Sequence, residues 1–321
     1  MMHSLFNLLV FPGLLFVIFG GLAFEYIDRK VHARMQNRMG PPWFQPFADM
    51  VKLLAKESIV PENADRMLFQ FAPIAAMAAA TAAFLYIPLW RSQAVFSFSG
   101  DLIVVFYLLT IPTMSLFLAG WSATSLYSLI GAVRSLTQLF AYEVPFFMGI
   151  LAPCILADTW SLSGVAAFYR DAPVLMLVNV IGFGVAVIAL LGKLEKVPFD
   201  IPEAETEIVA GPLTEYSGWV LCLFRLTLDI ELFVGASLLA AVFLPFGYSA
   251  AEGAGGLPQW AAFLVYLARL LVIVGVVTLL RTLFARLRLE QMVNFCWKYL
   301  APAALLQIVI SLCCKAALSA G

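Results

Sequence analysis

The chain is written in long apolar runs. Eight of them, at about 5–27, 67–90, 101–119, 127–157, 173–193, 219–246, 258–281 and 297–318, are each long enough at 1.5 Å per residue for a hydrocarbon core of about 30 Å. Runs of this length mark membrane spans and not a soluble core. Composition agrees: 63% of the residues are hydrophobic and 12% charged, against roughly 25% charged in a soluble domain. The expected fold class is therefore all-α, a polytopic membrane protein with about eight transmembrane helices in one integral domain over 1–321. No basic segment precedes the first run and no small-residue cleavage site follows it, so it reads as a retained span. The fourth run is unusually long and is expected to tilt or project.

Basic residues give the orientation. Arg29, Lys30, Arg34, Arg38, Lys52, Lys56, Arg66, Lys193, Lys196, Arg281, Arg286 and Arg288 follow odd-numbered spans, whereas Arg91 and Arg170 follow even-numbered ones. The positive-inside rule puts the odd loops in the cytoplasm and both termini outside a cell membrane. In the first of these loops, Phe47, Met50, Val51 and Leu54 recur at helical spacing, with Asp49, Lys52 and Lys56 opposite. That pattern predicts a short amphipathic helix on the membrane surface or against a partner. Gly253 to Gly256 reads as a loop.

Cysteine and histidine usage removes one class of function. Cys154, Cys222, Cys296, Cys313 and Cys314 contain no CxxC pair, and the histidines are His3 and His32. Iron–sulfur, NiFe and zinc centres need grouped thiolate or imidazole ligands. No metal or other cofactor is expected on this chain, and the cysteines read as small buried apolar residues. Redox chemistry, if any, belongs to another polypeptide. Net charge is −1, and no nucleic-acid partner is expected.

Charges inside membrane spans are costly and usually face a protein interior or a water-filled path. Several occur here, among them Arg134 and Glu143 in the fourth run, Arg225, Asp229 and Glu231 in the sixth, and Arg269 in the seventh. Arg225 and Asp229, four apart, can pair along one helix face. Glu143 has no base three or four residues away, so its partner is expected on another helix or in water. The densest cluster runs from Lys193-Leu194-Glu195-Lys196 through Asp200, Glu203, Glu205 and Glu207 to Glu215-Tyr216-Ser217-Gly218. Asp200 and Glu203 fit a capping box with Pro202 in the first turn, which would set Glu203 and Glu207 on one face. Capping leaves Glu205, Glu207 and Glu215 unexplained. Carboxylates this close raise one another's pKa, as a proton relay or electrostatic switch requires.

Several of these segments together resemble one family over nearly the whole chain. They are Asp28-Arg29-Lys30 with Met35-Gln36-Asn37-Arg38-Met39-Gly40-Pro41, Gln45-Pro46-Phe47-Ala48-Asp49 to Lys56-Glu57, Gly120-Trp121, Gly131-Ala132-Val133-Arg134, Tyr142-Glu143, and above all Pro198-Phe199-Asp200 to Gly218. The sequence resembles the membrane subunit of respiratory complex I beside the quinone chamber, and its relatives in membrane-bound NiFe hydrogenases and formate hydrogenlyase. The resemblance implies a polar path beginning at Asp200, Glu203, Glu205, Glu207 and Glu215 and continuing through Glu143, Asp229 and Glu231. It also implies that Asp28, Arg29, Lys30, Arg34, Arg38 and Arg134 dock a hydrophilic arm or line a cavity. The implied partners are hydrogenase-like large and small subunits, a ferredoxin-like iron–sulfur subunit and antiporter-like membrane subunits. Iron–sulfur clusters and a NiFe centre would lie on those partners.

Two departures favour the hydrogenase branch. Asp28 stands where quinone-reducing members carry Glu, and Gly40-Pro41 reaches Gln45-Pro46 across only Pro42, Trp43 and Phe44. A loop this short should narrow or close a quinone chamber. The leading expectation is an ion-translocating anchor of a hydrogen-evolving complex, itself non-catalytic. A complex I-like quinone chamber, a sulfur-reducing complex and a passive anchor are the alternatives.

Overall fold

The computed structural model describes residues 2–249 and 257–320, so the loop expected at Gly253 to Gly256 lies outside the described residues. Among the described residues, eight helical segments are long and apolar enough to cross a membrane: Phe6–Met35, Arg66–Phe84, Asp101–Ser122, Leu126–Ala157, Pro173–Lys193, Gly218–Phe243, Gln259–Leu283 and Leu289–Leu318. These are the first to eighth spans. The protein is an all-α polytopic membrane protein, as the apolar runs indicate.

Boundaries differ most where charge hid helix. The first span continues to Met35 because Glu25 and Asp28 turn inward and are buried. The eighth begins at Leu289 and passes through a π-helical turn, Cys296–Leu300, before resuming. The second stops at Phe84, and Leu85, Ile87, Leu89 and Trp90 remain buried without helix. Its start is capped by Asp65, whose carboxylate accepts from the amides of Met67 and Leu68 at 3.0 and 3.3 Å.

The sixth span is the axis of the bundle. Every residue from Ile230 to Phe243 is buried, and the first, second and seventh spans pack around it. The surface helix expected from its amphipathic pattern forms at Gln45–Ala55 and lies against the sixth span. The apolar runs gave no sign of one element, a helix at Leu162–Asp171, whose first amide, Leu162 N, donates to buried Asp101 at 2.7 Å. Three cysteines are buried as expected, but Cys313 is exposed and Cys314 half-buried. Both lie on the eighth span, which packs on one side only.

The fourth span is 32 residues long, about 48 Å, and its first turns project to the level of the loop after the fifth span. There Gly131 meets the 211–213 turn so closely that a Cβ would sit 2.6 Å from Pro212. Gly211 itself has φ +53°, and a Cβ there would lie 1.8 Å from the Pro202 carbonyl. Only glycine fits. These contacts fix the acidic loop over the bundle.

Candidate functional site

The expected capping box does not form. Asp200 and Glu203 precede a single helical turn, Glu205–Ile208, whose N-cap is Ala204 with no side-chain cap. Backbone turns shape the loop instead, and its acids go to separate partners. Glu203 takes Arg225 of the sixth span at 3.0 Å, and Glu207 takes Arg134 of the fourth at 2.6 Å. Arg134's hydrogen bond holds the half-exposed Glu207 carboxyl below its ordinary range. The Arg225–Asp229 pairing is thus replaced by a loop-to-span contact, because the loop folds back over Arg225. Asp200 and Glu215 are half-buried, and the Glu205 side chain lies outside the described residues.

The last motif residues hold the loop in place. Tyr216 stacks on Phe69 at 3.9 Å and donates to its carbonyl at 3.3 Å. Ser217 Oγ accepts from the Ile59 amide at 2.9 Å. Gly218 has φ +63° against the Lys56 and Glu57 carbonyls.

Two groups of buried charge flank the loop, and Lys193-Leu194-Glu195-Lys196 joins them. On one side Lys196 Nζ lies 2.8 Å from Glu25 and 2.6 Å from Asp28. Asp28, fully buried, also takes Arg281 at 2.7 Å and accepts from Thr278 at 2.5 Å. Glu25 takes Arg29 at 2.8 Å, and Arg29 reaches Asp49 of the surface helix at 3.3 Å. Burial alone would depress the Lys196 ammonium, but the carboxylates of Glu25 and Asp28 outweigh it and raise its pKa. Asp28 therefore offers no surface to a docked arm. Lys30 is also turned inward, donating to the Gly40 and Pro41 carbonyls at 3.2 and 3.3 Å and holding the short loop. Arg34 and Arg38 are exposed.

On the other side Lys193 pairs with Glu231 at 2.6 Å, both almost wholly buried. Glu195 is buried beside them, and burial, then Glu203, Glu231 and Asp200, push its carboxyl well above the ordinary range. Lys193, Glu195, Glu231 and Thr113 line one small cavity, and Thr113 bonds the Tyr142 hydroxyl at 3.1 Å. One residue on, Glu143 accepts from Thr110, a partner on another helix as its isolation in the fourth run implied. Polar groups thus follow one another from the loop through the middle of the bundle to Glu143.

A second cavity, about 290 Å³, opens beneath the surface helix. Arg29, Asp49, Lys52, Arg225 and Asp229 are five of its eleven lining residues. Sequence reasoning missed Glu25, Lys193, Glu195 and Lys196 as site residues, because the lysines read as orientation signals. The clue was present: residues of alternating charge at the end of an apolar run.

A family model described as NADH dehydrogenase matches residues 8–312. The chain is 33% identical over 311 residues to the H subunit of the NADH-quinone oxidoreductase of Carboxydothermus hydrogenoformans, covering 95% of this chain and 87% of that protein. It is 34% identical over 311 residues to the protein of the same name from Bacillus thuringiensis, covering 95% and 91%. Among solved structures it resembles a chain of the membrane-bound sulfane sulfur reductase, an archaeal respiratory membrane complex. The TM-score is 0.81 at 28% identity, over 92% of this chain and 96% of that one. The chain belongs to the NADH dehydrogenase family, as a membrane subunit of a complex I-like assembly.

Proposed function

We propose that this subunit couples electron transfer in a docked iron–sulfur arm to movement of protons or sodium ions across a cell membrane. The observation that carries the reading is the row of buried and half-buried polar groups from Glu203 and Glu195 through Lys193–Glu231 and Thr113–Tyr142 to Thr110–Glu143. A passive anchor gains nothing from such a row, since apolar packing of the same volume is as stable or more so. The end bearing the surface helix and acidic loop faces the cytoplasm and receives the arm, with exposed Arg34 and Arg38 at its contact. Glu143 delivers the ion toward antiporter-like neighbours.

Within that role we assign the chain to the hydrogen-evolving, NiFe hydrogenase branch. A quinone needs a predominantly apolar pocket of roughly 300–1,000 Å³. The cavity beneath the surface helix, about 290 Å³, lies just under that range. The short loop from Gly40 to Gln45, tied down by Lys30, leaves little room to enlarge it. A second reading, a sulfur-reducing complex, is favoured by the likeness to the sulfane sulfur reductase. A third, quinone reduction, is favoured by the named function of the relatives.

The test is to tag the chain, purify its complex in mild detergent, identify the other subunits and assay nickel. Nickel with hydrogen evolution in the same fraction supports the hydrogenase branch. Sulfur reduction without nickel, or quinone reduction blocked by a quinone-site inhibitor, would replace it with the second or third reading.

A further inference from the structure

The proposed path contains one group of charges whose stoichiometry is unusual. Lys193, Glu195 and Glu231 line a single cavity of about 20 Å³, room for one water molecule. Lys193 and Glu231 form a buried pair at 2.6 Å, and the ammonium also donates to the Leu109 carbonyl. Glu195 has no comparable partner. Its Oε2 is buried and accepts no hydrogen bond among the described residues. Two acids therefore share one base in a largely buried space.

An ionised carboxylate without a counter-ion is prohibitively costly in such a place. The cluster must hold one proton between its two acids, and the ammonium must sit beside whichever is charged. The surroundings fix the resting arrangement. Glu203 and Asp200 from the loop and Glu231 from the sixth span act on Glu195 as like charges, and the Tyr142 hydroxyl of the fourth span lies within electrostatic reach. Lys193 acts in the opposite sense. Lys196 stays committed to Glu25 and Asp28. Glu195 adopts φ +51°, an uncommon conformation for a side chain of this size, and thereby lies between the two lysines while paired to neither.

We infer that Lys193 is a movable counter-ion shared by Glu231 and Glu195, and that its swing accompanies proton transfer between these two acids. In that step the O–H bond of the Glu195 carboxyl breaks and one forms on the Glu231 carboxylate, directly or through one water. The Lys193 ammonium keeps its own protons and follows the negative charge to Glu195 on its flexible four-carbon stem. A proton moves one way and a positive side chain the other. The cluster is neutral before and after, so no bare charge is created in the bundle. The inference deepens the coupling role proposed above and rests on that reading for its purpose.

Infrared spectra of the purified complex, recorded against pH for the wild type, Glu195→Gln, Glu231→Gln and Lys193→Met, test it. At neutral pH the wild type shows a protonated-carboxyl C=O band that Glu195→Gln removes; the amide is neutral and isosteric, so the fold is kept. In Glu231→Gln the ammonium is released to Glu195, and the band titrates lower by about 1–3 pH units. In Lys193→Met both acids hold protons and the band doubles. A neutral-pH spectrum without a Glu195-dependent band overturns the inference, as does a band unmoved by Glu231→Gln. If Lys193→Met fails to assemble, the two glutamine variants decide. The coupling role fails separately: wild-type vesicles that take up no ion during turnover would remove it while leaving these spectra as expected.

Discussion

Lys196 Nζ lies 2.6 Å from Oδ2 of Asp28, 168 positions earlier in the chain. This contact fastens the loop after the fifth span to the first span, at a carboxylate with no solvent exposure. Because Arg281 shares that oxygen, three parts of the bundle converge on one side chain.

Removing the shared acid should therefore be severe. Asp28→Asn leaves Lys196 and Arg281 without their common charge, and breaking a buried pair in this way costs about 3–5 kcal/mol. The complex should melt earlier in detergent, and the subunit should co-purify poorly with its partners. Asp28→Glu should also weaken it, since the longer side chain must displace Thr278, which now bonds Asp28 at 2.5 Å.

The Lys193–Glu231 pair should show strong coupling. Each single replacement, Lys193→Met or Glu231→Leu, breaks the buried pair and should destabilise, but by less than the about 3–5 kcal/mol of an isolated pair, since Glu195 can receive the freed ammonium and an acid left behind can bind a proton. The double variant Lys193→Met/Glu231→Leu should recover most of the loss, while ion transport remains abolished. A double-mutant cycle on thermal unfolding of the complex measures this.

Stability should depend on pH through Glu195. Its folded carboxyl keeps a proton at pH values where unfolded glutamate, near 4.3, has lost it. The folded state then binds more protons than the unfolded one, so stability falls as pH rises above about 4.3. Glu195→Gln removes that slope: little changed near pH 4, it should be more stable than wild type at pH 7. Lys196, whose folded pKa is raised, contributes stability present below about 10.4 and lost as pH rises through its folded value. Thermal denaturation across pH resolves the two windows.

The acidic loop should matter more to transport than to folding. Glu207–Arg134 is half-exposed, and such pairs contribute at most about 1 kcal/mol. Neutralising Glu203, Glu205 and Glu207 together should leave the complex assembled but lower ion uptake per electron severalfold. Unchanged uptake would remove the loop from the path.

Much of this was legible in the sequence. Apolar length marks all eight spans, and the spacing of Phe47, Met50, Val51 and Leu54 marks the surface helix, because burial against lipid or a neighbour leaves periodic traces. Glu143 was legible as an intramembrane acid without a local base. The pairings were not. Arg225 looks toward Asp229 by helical spacing, yet Glu203 takes it once the loop closes over the sixth span, a contact that only tertiary structure provides. Lys193 and Lys196 carry the same charge three residues apart, and nothing local sends one to Glu231 and the other to Glu25 and Asp28. Asp200 and Glu203 satisfy a local capping rule that the loop's own turns override.

Coupling itself is tested most directly in inverted membrane vesicles containing the complex, supplied with reduced ferredoxin, with hydrogen evolution and ion uptake recorded together. Proton- and sodium-sensitive dyes identify the ion. Coupling through Glu143 predicts uptake with turnover in the wild type, and loss of most uptake per electron in Glu143→Gln. Equal uptake per electron in wild type and Glu143→Gln would contradict it.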